Sequence, residues 1–251
     1  MTIEYIDVKE AIARHGLRMV VVGNVPSPWG EAAKGLFHMK GLDWAAVRLV
    51  YDDPALAEWA GQLSGPVAVY NDDPPRSGWA EILLLAERLA PEPAVIPADP
   101  ERRAQMFGVC HELLGEEGLA WSRRLHLVHL GLNGEPGFAP QVAQYLAGKY
   151  GHTPEMGVAA GQRTIALLTL FAARLQNADY LMGDAVTAAD VYLATTMALF
   201  SPLSEDRCAM NPTTRAAFEA RDAATAAALD PVLLAHRDRM YAEHLEPVLS
   251  L

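Results

Sequence analysis

A serine followed by a proline, in Ser27-Pro28-Trp29, is the arrangement in this chain best placed to hold a negative charge. Ser is a strong helix N-cap and Pro suits the first helical position, so a helix opens here. The N–H groups of Trp29 and Gly30 then lie beside the Ser27 hydroxyl, at the positive end of the helix, where a hydroxyl can donate to an anion. The alternative is that Ser27 only caps the helix. A second opening of this kind lies in Arg76-Ser77-Gly78-Trp79-Ala80-Glu81. Ser77 can cap that helix and bind a carboxylate with its N–H groups, and Arg76 adds a cation. Glu81 can hold an amine, or it can simply answer the helix dipole.

Other groupings carry less chemistry. His126 and His129 have i, i+3 spacing with His111 upstream, but a metal site needs a third ligand on the same face, and no metal is expected. Gly157 to Thr164 has the glycines of a phosphate loop at the wrong spacing, with no lysine and no preceding strand. Cys110 and Cys208 are far apart and form no CxxC pair, which argues against dithiol chemistry and zinc ribbons. Cys110 lies on an apolar stripe and reads as a buried, inert thiol. Arg123-Arg124 reads as a solvated helix face. Trp121 reads as core, with a place in a pocket wall as the alternative.

The elements that must position Ser27 can be read around it. Leu17 to Val22 is a short apolar, β-branched run, the mark of a buried strand. After the turn Gly23 to Pro26, the helix from Ser27 should run through Leu36 and Phe37 and stop near Lys40-Gly41. Ala45 to Val50 reads as a second strand, Ala55 to Leu63 as a short helix and Val67 to Tyr70 as a third strand. Trp79 to Leu89 is an amphipathic helix with Ile82, Leu85, Ala86 and Leu89 on one face. This order describes a small α/β layer domain. Ile3 to His15 has helical spacing and reads as an N-terminal extension over residues 1–16.

Residues 90–97, APEPAVIP, hold three prolines and cannot be regular helix. Three sections follow: a front domain over 1–90, a linker over 91–98 and an all-helical domain over 99–251. In the helical part, Val186-Thr187-Ala188-Ala189-Asp190-Val191 has the spacing of a capping box, with Asp in place of Glu or Gln and Val186 and Val191 at the staple positions. The helix it starts, to Phe200, is apolar nearly all round and belongs in the centre of a domain.

That segment, YLMGDAVTAADVYLATTMALF, resembles the buried helix of the glutathione transferase C-terminal domain, where a Gly-Asp-x-x-Thr/Ser-x-x-Asp start recurs and the Asp is structural. The stretch from Ser27 to Val50 resembles the family's first helix and second strand, and Gly65-Pro66-Val67 resembles its Val-Pro-Val with a cis proline. The resemblance spans roughly Leu17 to Phe200. It implies a thioredoxin-like α/β domain followed by an all-α helical bundle. It also implies thiol chemistry: conjugation of glutathione, or a related thiol, to a small hydrophobic electrophile, with glutathione as co-substrate and no bound cofactor.

Under that resemblance Ser27 would donate to the thiolate. A free thiol has a pKa near 8.5, and lowering it by about two units takes roughly 2.7 kcal/mol. One charge-assisted hydrogen bond, about 1.5–3 kcal/mol, plus the helix end is of that size. Trp29, Gly65, Pro66, Ser77, Gly78, Trp79 and Glu81 fall where the family contacts glutathione. Gly65 would offer its backbone to the cysteinyl part as a strand would. The family usually has a Glu-Ser or Gln-Ser pair before its third helix. Here Gly78-Trp79 or, with a small gap, Arg76-Ser77 stands in its place. That departure keeps a second reading open, a non-catalytic binding or scaffold protein on the same fold. A glutathione-dependent isomerase or dehalogenase is a third.

Composition narrows the partners. With 31 acidic and 20 basic residues the net charge is −11, which repels a phosphate backbone, so no nucleic acid is expected. The N-terminal residues contain no apolar signal core, and no run reads as the roughly 20 apolar residues of a membrane span, so a cytoplasmic address away from membranes is the expectation. The family is generally dimeric, and the resemblance implies a homodimer and a role in detoxification.

Overall fold

Leu17, Met19, Val20 and Val21 are buried together because both faces of their strand are covered. The structure, a computed structural model, describes residues 3–251. The front part runs β1 (Glu4–Ile6), α1 (Val8–Ala13), β2 (Leu17–Val21), α2 (Pro28–Met39), β3 (Trp44–Arg48), α3 (Pro54–Ala60), β4 (Val67–Tyr70) and α4 (Trp79–Leu89). After the proline-rich segment come α5 (Pro100–Leu114), α6 (Leu119–Leu132), α7 (Pro140–Tyr150), α8 (Pro154–Leu175) and α9 (Ala188–Thr196). A 3-10 turn (Met197–Leu199), α10 (Pro212–Glu219), α11 (Ala223–Ala228) and α12 (Pro231–Glu243) complete the chain order. A thioredoxin-like α/β part is thus followed by an all-helical part.

The sheet order is β1-β3-β2-β4. β2 runs parallel to β3, with Leu17 opposite Trp44, and antiparallel to β4, with Leu17 opposite Tyr70. β1 corrects the reading of Ile3 to His15 as a helical extension. Glu4 to Ile6 pair parallel with Ala45 to Val47 as an edge strand, and only Val8–Ala13 is helical. Three residues carry too little pattern to show a strand; the pairing comes from β3.

One face of the sheet buries Ile6, Val20, Val47 and Val67 against Ala11 of α1 and Leu56 of α3. The other presents Met19, Val21, Ala46 and Ala68 to α2 and α4, in a core continuous with the helical part. α2 is therefore wedged between the sheet and α9. At Gly35 an added Cβ would stand 3.1 Å from Val191 Cγ1 of α9 and 2.9 Å from Cδ2 of Leu245, which follows α12. The far end of α2 is fastened too: Lys40 Nζ donates to Glu87 at 2.8 Å and to the Pro93 carbonyl at 2.7 Å. The helix that begins after Ser27 is held along its length, so its N-terminus is a fixed point.

The capping box of α9 is present, and Asp190 does more than close it. Its Oδ2 accepts from the Thr187 N–H at 2.8 Å and the Thr187 hydroxyl at 3.0 Å. Its Oδ1 accepts from the Leu181 N–H at 2.8 Å and faces His236 Nε2 at 3.1 Å. The α-helix ends at Thr196 and tightens into the 3-10 turn, short of the expected Phe200, and all of 188–199 is buried. α8 is long and apolar enough to cross a membrane by length and composition, which the sequence reading had not found; here it packs against α6, α11 and α12.

Both thiols are sealed in. Cys110 is fully buried with Sγ 3.2 Å from Met106 Sδ, and burial pushes its thiol well above the usual range. Cys208 is likewise buried, and burial pushes it up to about 11. A thiol is attacked through its thiolate. An aromatic disulfide reagent at neutral pH is therefore expected to label neither cysteine of the native protein on a timescale on which both react in denaturant. Rapid native labelling of either one would contradict this packing.

Candidate active site

The Ser27 hydroxyl is available for chemistry because it does not cap its own helix. The Ser27 carbonyl starts the helical ladder by accepting the Glu31 N–H at 2.8 Å, but the side chain makes no cap bond. Pro28 has no N–H, and a helix offers no internal acceptor to its first N–H groups, which leaves those of Trp29 and Gly30. The alternative reading, that Ser27 only caps the helix, would have tied up its oxygen. Here no such bond forms.

Ser27 is 8% exposed, and what it faces is a cleft of about 550 Å³ between the sheet-bearing part and the helical bundle. Gly65 and Pro66, joined by a cis peptide just before β4, line the same cleft, as do Trp29 and Ser77. The Trp29 indole N–H is already used, donating to the Leu114 carbonyl at 2.8 Å, so only the ring and the backbone face a ligand.

Three expected contacts fall elsewhere. Gly78, Trp79 and Glu81 do not line this cleft. The Glu81 carboxylate accepts from the Gly78 N–H at 2.9 Å and the Ser77 N–H at 3.3 Å, closing the start of α4 upon itself. It answers the helix end and is not poised for an amine. Trp79 packs edge-on against Tyr192 at 5.9 Å and beside Phe107 at 6.2 Å, and its carbonyl accepts the Tyr192 hydroxyl at 3.2 Å. It joins the two halves of the molecule.

The opposite wall is aromatic and cationic. Trp121 of α6 meets Trp29 at 6.5 Å and Tyr150 of α7 at 4.9 Å, both edge-on. Trp121 is half-buried in the cleft wall, the alternative that its sequence had left open. The Arg124 guanidinium lies 5.9 Å from the Trp29 ring and 5.6 Å from that of Tyr150. Lys149 Nζ lies 5.7 Å from the Tyr51 ring at the rim. Phe138 and Phe218 close the inner end, 6.1 Å apart.

Arg123-Arg124 is not a solvated face. Arg123 is fully buried and donates to the carbonyls of Leu199 and Ala220, while Arg124 turns into the cleft. The pairs Trp121/Arg124 and Tyr145/Lys149 are i, i+3 and i, i+4 neighbours, so helical spacing carried a signal for this wall that single residues did not. His126 and His129 gain no third metal-binding neighbour: among the described residues no group of three or more His, Cys, Asp or Glu could hold a metal.

No family model matches this sequence, and no curated protein does. Solved structures do match. A glutathione transferase homologue from Sulfitobacter with bound glutathione superposes with a TM-score of 0.61 at 15% identity, covering 92% of this chain and 94% of that one. A glutathione S-transferase from Methylobacterium radiotolerans, in complex with glutathione sulfonate, gives 0.60 at 17% identity, over 90% and 91%. Rice GST1 in complex with glutathione gives 0.59 at 19% identity, over 92% of each chain. Together these establish that the chain has the glutathione transferase fold.

Proposed function

We propose that this chain binds glutathione, or a related thiol, along the Ser27–Gly65–Ser77 wall and transfers its thiolate to a small electrophile held against the aromatic wall. The observation that carries the reading is that Ser27 lines the cleft at the start of α2 with a hydroxyl that makes no cap bond to its own helix. Gly65 and Pro66 stand on the same side, and glutathione is bound in several of the solved structures with this fold. The thiol supplies its own sulfur, so the protein's part is electrostatic: it makes the anion cheaper and holds it against the acceptor. A dimeric, cytoplasmic, detoxifying enzyme is the setting we propose for it, with the cleft between a front domain over 1–90 and a helical domain over 99–251.

One observation favours a second reading, a binding protein without transferase chemistry. Glu81 already occupies the N–H groups of Ser77 and Gly78, which a ligand carboxylate would otherwise use. Titration calorimetry with glutathione beside a thiol-transfer assay separates the two, since binding without transfer would favour the second. Binding is expected, and Ser77→Ala is expected to weaken it by about 3–10-fold, the worth of one hydrogen bond. A chain that takes up no glutathione at millimolar concentration would overturn the transferase reading.

A further inference from the structure

The cleft carries positive charge in an acidic protein. The chain as a whole has a net charge of −11. Yet among the described residues no Asp or Glu lines the cleft, whereas Arg124 and Lys149 both do. Among the described residues neither cation has a carboxylate partner within salt-bridge distance, and neither donates a hydrogen bond to the protein. Arg124 Nε is shielded from solvent and has no acceptor at all. The neighbouring Arg123 gives its Nε and Nη2 to carbonyl groups and leaves only Nη1 without a partner, whereas Arg124 gives no donor to the protein. A shielded donor without a partner costs free energy, and a guanidinium offers a planar fork suited to an oxyanion.

These two side chains stand on α6 and α7, the wall that carries the aromatic rings, and not on the wall of Ser27, Gly65 and Ser77. The Arg124 guanidinium lies 5.9 Å from the Trp29 ring and 5.6 Å from the Tyr150 ring, so a flat acceptor bound against these rings would meet it. We propose that the second substrate of this site is an aromatic electrophile bearing an oxyanion, a carboxylate in the simplest case, with Arg124 as its main anchor and Lys149 as a rim cation. This rests on the transferase reading. For a chlorinated nitroaromatic acid the thiolate sulfur would bond to the chlorine-bearing ring carbon. The C–Cl bond would break, with chloride leaving on the bonding pair, and the thiol proton would already have passed to solvent. Arg124 holds the acceptor's anion and takes no part in bond making.

Binding of unreactive probes tests the proposal without requiring turnover. Dinitrobenzoate and dinitrobenzene share a ring and differ in charge, and both should quench the emission of Trp29 and Trp121. The wild-type protein is expected to bind dinitrobenzoate at least about 10-fold more tightly than dinitrobenzene, the worth of a charged hydrogen bond. Arg124→Gln is expected to abolish that preference while changing dinitrobenzene and glutathione affinity by less than about 3-fold. Lys149→Gln, at an exposed position, should reduce the preference by a smaller factor and removes any doubt over folding. Equal affinity of the wild type for the two probes would overturn the proposal. So would a loss of glutathione binding in Arg124→Gln as large as the loss of dinitrobenzoate binding, since the cation would then serve the thiol peptide. Failure of the transferase reading shows separately, as anion-selective probe binding without thiol transfer.

Discussion

Replacing Ser27 with alanine is expected to lower kcat/KM for thiol transfer by about 10–100-fold while leaving the glutathione Kd, measured at pH 6 where the bound thiol is mostly protonated, within about 3-fold. The magnitude is that of a charge-assisted hydrogen bond, roughly 1.5–3 kcal/mol, made to the thiolate and not to the bound thiol. The structure makes this variant unusually clean. A serine that caps its helix costs about 0.5–2 kcal/mol when truncated. Ser27 makes no side-chain cap bond, so Ser27→Ala should unfold within about 0.5 kcal/mol of the parent. Activity and stability should therefore separate. Stopped-flow assays at saturating glutathione, alongside urea titrations, read both. A variant that keeps full activity but loses more than about 1 kcal/mol of stability would return Ser27 to a capping role.

The largest loss of stability is expected at Asp190. Its carboxylate is fully buried and accepts from the N–H groups of Leu181 and Thr187 and the Thr187 hydroxyl, with His236 Nε2 at 3.1 Å. Those partners tie α9 to the turn before it and to α12. Asn keeps the shape but turns an amide NH2 toward one side, leaving the N–H of Leu181 or of Thr187 buried without an acceptor. At about 1–3 kcal/mol for such a donor, with the remaining bonds weakened once the charge is gone, Asp190→Asn should cost about 2–4 kcal/mol and lower Tm by at least roughly 4 °C. Because α9 packs on α2, and α2 carries Ser27, the same change should also reduce activity near the transition. Thermal unfolding at neutral pH checks this. A shift of less than about 1 kcal/mol would mean that the network does not hold α9 to the turn before it and to α12.

Much of the frame was legible because local chemistry announces it. Asn71 to Gly78 is a polar turn segment, and β4 and α4 on either side of it end at Tyr70 and begin at Trp79, where the pattern placed them. Thr187 and Asp190 marked the start of α9 for the same reason, as a cap is a property of four adjacent residues. β1 was missed because an edge strand of three residues takes its identity from the strand beside it. Arg123-Arg124 was misread because charge is a poor guide to exposure once carbonyls left free by the 3-10 turn and by the end of α10 are near enough to take guanidinium donors.

The site divides in the same way. Ser27, Gly65, Pro66 and Ser77 lie at turns and helix starts, where sequence speaks locally, and all four line the cleft. Glu81 and Trp79 stand in the right stretch of chain, but which atoms their side chains meet is decided by the fold. One satisfies the N–H groups beneath it and the other fills the joint against Tyr192. The second wall is marked locally only by the helical spacing of Trp121 with Arg124 and of Tyr145 with Lys149. Trp29, Trp121 and Tyr150 meet only because α2, α6 and α7 converge, and contact between residues so distant in sequence is written in the packing.

The most direct measurement is a pH titration of the ultraviolet thiolate absorbance of glutathione on the saturated protein. A thiol held at the start of α2 beside the Ser27 hydroxyl should ionise near pH 6.5, about two units below its value in free solution, and Ser27→Ala should return most of that shift. A bound thiol that titrates near pH 8.5 in both proteins would contradict the account at its root.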